Sequence, residues 1–172
     1  MGEGCVEVRA YWHGDATAVV DLVLSIQREE FGMAITSDDQ PDLLDVLGFN
    51  CRGAGHFWVA VKSGKVIGTI GLLDIGNGRG ALRKMFVARP WRGRELGIAS
   101  RLLECLVNWA KAHGLSEIYL GTTEWFDAAR RFYVRNGLVE TSRDELPDRF
   151  PVMAVDSRFY RLVISDMDWS AA

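Results

Sequence analysis

Leu96, Ala99, Leu102, Leu103, Leu106, Val107 and Ala110 recur at three- and four-residue spacing and form one apolar stripe of a long helix. A strand pattern over 81–87 precedes the stripe and closes at Pro90. A second short strand, Glu117 to Leu120, follows it. Gly114 stops the helix, and Lys111 and His113 suit its negative end. A helix with a single apolar face has to cover another element, and the flanking strands supply the surface.

The remaining pattern fits that frame. Val6, Val8 and Ala10 alternate with Glu7 and Arg9, as on a half-buried strand. Asp15 is placed to cap a helix running to about Phe31, with Val19, Leu22, Val23 and Ile26 on its inner face. Pro41 and its acidic neighbours suit the start of a short helix around Leu43 to Leu47. Phe57–Val61 and Val66–Leu73 read as strands joined at Ser63-Gly64. Gly76-Asn77-Gly78-Arg79-Gly80 lies between two strand patterns and lacks the GxGxxG spacing, so it reads as a turn. Thr122 or Thr123 is placed to cap a helix whose inner face is Trp125, Ala128, Ala129 and Phe132, ended by Asn136-Gly137. Strands over Leu138–Thr141 and Phe159–Ile164 flank an irregular stretch holding Pro147 and Pro151. The order predicts an α/β chain with a mixed sheet covered by helices, in one domain spanning 1–172.

Composition excludes several classes. A chain of 172 residues with 48% apolar and 25% charged residues can bury a core and is not disordered. A net charge of −3 argues against a dedicated nucleic-acid binder. Cys5, Cys51 and Cys105 are scattered, as are His13, His56 and His113, so neither a disulfide framework nor a metal site is expected. No apolar run matches a signal peptide or reaches the length of a membrane span, and the expected location is the cytoplasm.

Chemistry concentrates between Leu82 and Gly137. Trp91-Arg92-Gly93-Arg94-Glu95-Leu96-Gly97-Ile98-Ala99 bends from a strand into the long helix. The first amides of a helix have no internal partner and carry partial positive charge. Gly97 and Ala99 leave room for an anionic group, and Arg92 and Arg94 add forked donors. Such a bend is either a pyrophosphate seat or an ordinary strand-to-helix turn with solvated arginines.

Arg94-x-x-Gly97-x-Ala99 resembles the Q/R-x-x-G-x-G/A signature of the GNAT superfamily of N-acetyltransferases. Leu82-Arg83-Lys84-Met85-Phe86-Val87 is similar to that family's L-x-x-L-Y-V strand. Ala129 to Leu138 is similar to its A-x-x-F-Y-x-x-x-G-F helix. The resemblance implies the acyl-CoA N-acyltransferase fold, a mostly antiparallel twisted sheet of about six to seven strands flanked by about four helices. It implies acetyl-CoA as cosubstrate and an amine of a small molecule or peptide as acceptor, and it leaves room for a homodimer. The pyrophosphate would rest on the amides of Arg94, Glu95, Leu96, Gly97, Ile98 and Ala99, beside Arg92. Met85, Phe86 and Val87 would hold the pantetheine arm, with Phe126, Ala129 and Phe132 on the opposite wall. Tyr133 matches the tyrosine that protonates the departing thiolate; its other reading is packing beside Phe132.

The chain departs from the family pattern at Ala81, where many members carry a glutamate base, and at Phe126, where many carry an asparagine. Glu124, His56, Asp156 and a water chain are the candidate bases. Acidic residues in the first helices and the last hairpin, among them Glu29, Glu30, Asp38, Asp39, Asp42, Asp45, Asp144, Glu145, Asp148 and Asp156, either attract a cationic amine or cap helices and solvate loops. Two activities remain open: acetyl transfer, and an acyl-CoA-binding sensor that lacks turnover.

Overall fold

The computed structural model describes residues 4–124 and 126–166. Seven strands form one sheet in the order β1-β2-β3-β4-β5-β7-β6. They are β1 Glu7–Ala10, β2 His56–Lys62, β3 Lys65–Gly76, β4 Arg79–Val87, β5 Glu117–Thr122, β6 Val139–Thr141 and β7 Arg158–Val163. The helices are α1 Ala16–Ser25, α2 Pro41–Leu44, α3 Val46–Asn50, α4 Ile98–Ala112 and α5 Asp127–Arg135. Every pairing is antiparallel except β4 with β5.

The hairpin turns follow from their residues. Ser63 and Gly64 take φ of 50° and 76°, and Asn77 and Gly78 take 56° and 72°. Positive φ at both central positions is the geometry whose twist matches paired strands, and Asn and Gly tolerate it best.

The sheet has a helical layer on each face. On one, Ile98, Leu102, Leu103, Leu106, Val107 and Ala110 of α4 are at most 1% exposed and pack on Ile67, Ile70, Leu72, Ile118 and Leu120. Each large side chain so buried contributes about 1.5–3 kcal/mol relative to exposure. On the other face Val19 and Val23 of α1, with Leu43 and Val46, cover Phe57, Val59 and Val61. No helix among the described residues is long and apolar enough to cross a membrane.

The structure differs from the sequence expectations at several ends. Leu96 lies outside α4 and is 47% exposed. The short helix is two, α2 and α3, broken at Asp45, whose carboxylate accepts from Gly48 N–H at 2.9 Å. The helix predicted to reach Phe31 leaves α-geometry at Ile26 and continues as a π-helical turn over Ile26–Glu30. Neither Thr122 nor Thr123 caps α5; Phe126 occupies that position without a side-chain bond. Ala128 is exposed, and Tyr133 is the buried residue of α5; Trp125 lies outside the described residues.

Asp15 stands at the N-cap position of α1, but its side chain makes no bond to that helix. Its carboxylate accepts from both Arg9 guanidinium ends at 2.8 and 2.9 Å and from Trp12 N–H at 3.0 Å, fastening β1 to the start of α1. Burial pushes the Asp15 carboxyl up, but the bonds from Arg9 and Trp12 outweigh it and hold it below the usual range. The stabilisation is therefore present above the unfolded aspartate range and lost as pH falls through the lower folded value. Asp15→Ala is expected to cost about 2 kcal/mol in urea unfolding at neutral pH, because it leaves Arg9 unpaired.

Candidate active site

β4 and β5 are parallel neighbours only over Arg79↔Glu117, Gly80↔Ile118 and Ala81↔Tyr119. Beyond Ala81 they diverge, so from Leu82 to Val87 the β5 side of β4 has no strand partner. A cleft of about 880 Å³ fills the gap, within the range of small-molecule sites. Its walls come from β4, the π-helical turn after α1, the starts of α4 and α5, and the 150–156 stretch.

A bulge shapes the β4 wall. Gly71 faces Arg83 and Thr69 faces Phe86, so Ile70 alone opposes Lys84 and Met85. Lys84 takes a φ of 50°, and its carbonyl accepts from Thr69 Oγ1 at 2.7 Å. A positive φ on a lysine costs of order 1–3 kcal/mol and persists only where the surroundings impose it.

At one end the cleft meets α4. Gly97 precedes it with a φ of 64°, and Gly93 has a φ of 119°. The first helical bond is Arg101 N–H to Gly97 carbonyl, at 3.0 Å. Among the described residues the amides of Ile98, Ala99 and Ser100 donate to no protein acceptor, and neither do those of Arg94, Glu95 and Leu96. Arg89, Arg94, Arg131 and Arg135 also line the cleft, with no ion pair among the described residues.

Met85, Phe86, Val87, Arg92, Arg94, Gly97, Ala99, Phe126, Ala129, Phe132 and Tyr133 are thus brought to one cleft. Ile98 contributes no side chain to it, being 1% exposed in the core under α4. Glu95 and Leu96 turn to solvent. Arg92 lines the cleft, but its fork is engaged: Nη1 and Nη2 donate to Glu30 at 2.6 and 2.8 Å, and Nε to the Val87 carbonyl at 2.7 Å. It ties the π-helical turn to the end of β4, which commits three of its five N–H donors. The Phe126 ring meets Phe31 of that turn's C-cap at 4.1 Å, so two contacts roof the cleft.

Tyr133 packs against Phe132 and Tyr160, at 5.8 and 6.0 Å between centroids, and its hydroxyl has no hydrogen-bond partner among the described residues. Burial pushes the phenol well above its ordinary range. Thr123, just past β5, is 6% exposed and lines the cleft; its Oγ1 has no partner among the described residues. A buried polar atom left unpaired by protein costs about 1–3 kcal/mol. In the sequence alone Thr123 shows only as a candidate helix cap.

The candidate bases separate. Glu124 is 62% exposed, lies 3.8 Å from Arg158, and does not line the cleft. His56 is stacked on Trp109 at 4.3 Å, outside the cleft. Asp156 lines it. Its carboxylate lies against β5, where a Cβ at Gly121 would come within 2.5 Å of Oδ2, and it accepts from Met153 N–H at 2.8 Å. Burial pushes its carboxyl above the usual range. Of the acids expected to wall the acceptor site, only Glu29, Glu30 and Asp156 line the cleft, and Glu30 is paired with Arg92. Asp39 and Asp45 serve local turns. Among the described residues no group of three or more His, Cys, Asp or Glu is placed to hold a metal ion.

The architecture is that of an α/β protein whose mixed sheet is opened at its one parallel pair by a cleft ending on unpaired helix amides. The chain belongs to the acetyltransferase (GNAT) family, whose model matches residues 20–138. A GNAT-family acetyltransferase from Staphylococcus aureus Mu50 superposes with a TM-score of 0.88 at 35% identity, over 93% of this chain and 99% of that one. PaiA N-acetyltransferase from Thermoplasma acidophilum, solved with coenzyme A, superposes at a TM-score of 0.71 and 16% identity, over 92% of this chain and 99% of that one. Probable N-acetyltransferase family 8 member 5 of Mus musculus is 28% identical over 107 residues, covering 60% of this chain and 47% of that protein. The chain spans about half the length of the curated relatives it matches.

Proposed function

We propose that this chain, read as a single domain over 1–172 and acting in the cytoplasm, transfers an acetyl group from acetyl-CoA to a primary amine of a small molecule or peptide. The observation that carries the reading is the run of unpaired amides at Ile98, Ala99 and Ser100, opening onto a cleft whose β4 edge is also unpaired. The amides would hold a diphosphate, with Arg94 beside them. The free edge of β4 at Met85 and Val87 would take the amide-bearing arm as an added strand. Phe126, Ala129 and Phe132 form the facing wall.

Acetyl-CoA, when bound, supplies an acyl carbon activated by its thioester. The amine nitrogen attacks that carbon and the carbon–sulfur bond breaks. In this scheme Asp156 takes the proton that the amine loses, and Tyr133 gives one to the departing sulfur. Burial keeps the Tyr133 phenol protonated, the form that donates. It also weakens the phenol as an acid, so donation depends on a thiolate that is desolvated in the same cleft.

Thiol release on mixing the protein with acetyl-CoA and an amine library tests the activity. Acceptor-dependent release supports it; tight coenzyme A binding without release favours the sensor reading, which Ala81 in place of an acidic side chain keeps in view. Asp156→Asn is expected to lower kcat about 10²-fold, at the low end for a general base because water reaches the site. Wild-type kcat/KM should rise with pH through the raised Asp156 pKa, and the Asn variant should lack that acid limb. The folded-state pKa lies above the unfolded one, so the stability linked to it is present at low pH and lost on raising pH through the folded value. Asp156→Asn should therefore melt higher than wild type at neutral pH while working more slowly.

A further inference from the structure

The end of the cleft away from α4 is built around two cations. The bulge in β4 turns Lys84 inward, leaving its side chain 8% exposed. Its ammonium donates to Gln40 Oε1 and lies 3.7 Å from Asp42 Oδ2. Gln40 is held in turn by a reciprocal amide pair with Gln27, at 2.8 and 3.0 Å. Arg83, with its side chain 18% exposed, lies 3.6 Å from the same Asp42 oxygen; its only hydrogen-bond partner among the described residues is the Met153 sulfur at 3.5 Å. Both cations line the cleft and share one carboxylate.

This arrangement is incomplete. A lysine has three donors and an arginine five; among the described residues Lys84 meets Gln40 and Asp42, while Arg83 has Asp42 as its one anionic neighbour within 4.0 Å. Burial pushes the Lys84 ammonium down, with Arg83 adding to the effect and Asp42 opposing it. A buried positive charge in surplus is costly unless an anion joins it. Asp156 feels the Arg83 charge from a distance but does not pair with it: it lies against Gly121, with no ion pair to Arg83 within 4.0 Å. The cleft thus has a cationic pair needing one further negative charge, and across from it a carboxylate beside the transfer site.

We propose that the acceptor is a free α-amino acid, its carboxylate held between Arg83 and Lys84 and its amino group turned to Asp156. The proposal rests on the acetyl-transfer reading and names the substrate class within it. Two cations and one carboxylate leave a single positive charge, which a monoanionic carboxylate neutralises and a phosphate dianion would overshoot. The amino end, entering as an ammonium, pairs with Asp156 before losing its proton.

The test has two arms on the full chain. In the first, the twenty amino acids, their carboxamides and their decarboxylated amines are compared as acceptors by thiol release. The best amino acid should exceed its own carboxamide and decarboxylated amine by about 10² in kcat/KM, because each analogue leaves buried cations unpaired. In the second, the same compounds are titrated calorimetrically onto protein saturated with coenzyme A, which needs no turnover. Lys84→Met should reduce the preference for the carboxylate to within about fivefold in both arms. Arg83→Gln, nearer the rim, is the second variant should the first fail to fold, and retained coenzyme A affinity marks a folded protein. Carboxylate-dependent binding without thiol release would overturn the transfer reading and support the site. Carboxamides or decarboxylated amines that bind as well as the amino acids, an aminophosphonate preferred over them, or no amino acid binding at all would overturn the site.

Discussion

Gly97→Glu is expected to weaken coenzyme A binding at least about a hundredfold, close to 2.7 kcal/mol, measured by calorimetry. The residue sits at φ 64° immediately before α4, where the amides of Ile98, Ala99 and Ser100 point outward unpaired. A carboxylate there would occupy the positive end of the helix and repel the diphosphate proposed to bind it. Steric bulk is a separate effect, and Gly97→Ala isolates it. An added Cβ meets nothing nearer than the Arg94 carbonyl at 4.0 Å, so alanine is penalised only by the left-handed backbone, about 1–2 kcal/mol. That should lower the melting temperature by about 2–8 °C and leave coenzyme A affinity within about fivefold. Equal affinity of the Glu variant and wild type would remove the phosphate seat and the catalytic scheme with it.

Tyr133→Phe is expected to lower kcat by roughly 10³ with KM for acetyl-CoA little changed, the signature of a group that acts only in the transition state. The substitution is clean here because the hydroxyl has no partner to orphan among the described residues and the ring keeps its contacts with Phe132 and Tyr160. Since burial raises the phenol pKa, wild-type activity should persist to pH values above the ordinary tyrosine range before its alkaline limb appears. An unchanged kcat in the Phe variant would leave Tyr133 as a packing residue.

The parts of the fold readable from sequence are those set by local periodicity and turn chemistry. The α4 stripe, the Ser63-Gly64 and Asn77-Gly78 turns and the succession of strands along the chain needed no tertiary information; the place of β7 between β5 and β6 in the sheet did. The cleft was legible where side-chain type and backbone position coincide, at Gly97, Ala99 and Tyr133. What escaped depends on partners distant in sequence. Arg92 looks like a phosphate ligand until Glu30, 62 positions earlier, takes its fork. Asp15 looks like a cap until Arg9 is folded over it. Thr123 lines the cleft, its Oγ1 unpartnered among the described residues, only because β4 splays from β5 beside it. The bulge had a visible trace, the adjacent charges Arg83-Lys84 inside an apolar strand pattern, which no regular alternation accommodates.

The donors that open the cleft at α4 belong to the main chain. Truncating side chains one at a time leaves those peptide groups in place, so an alanine scan would pass over this end of the cleft almost silently. Proline at 99 or 100, which deletes one N–H where a helix tolerates the ring, is the probe that would make it audible. A seat built from peptide groups constrains the path of the backbone more than the identity of the side chains.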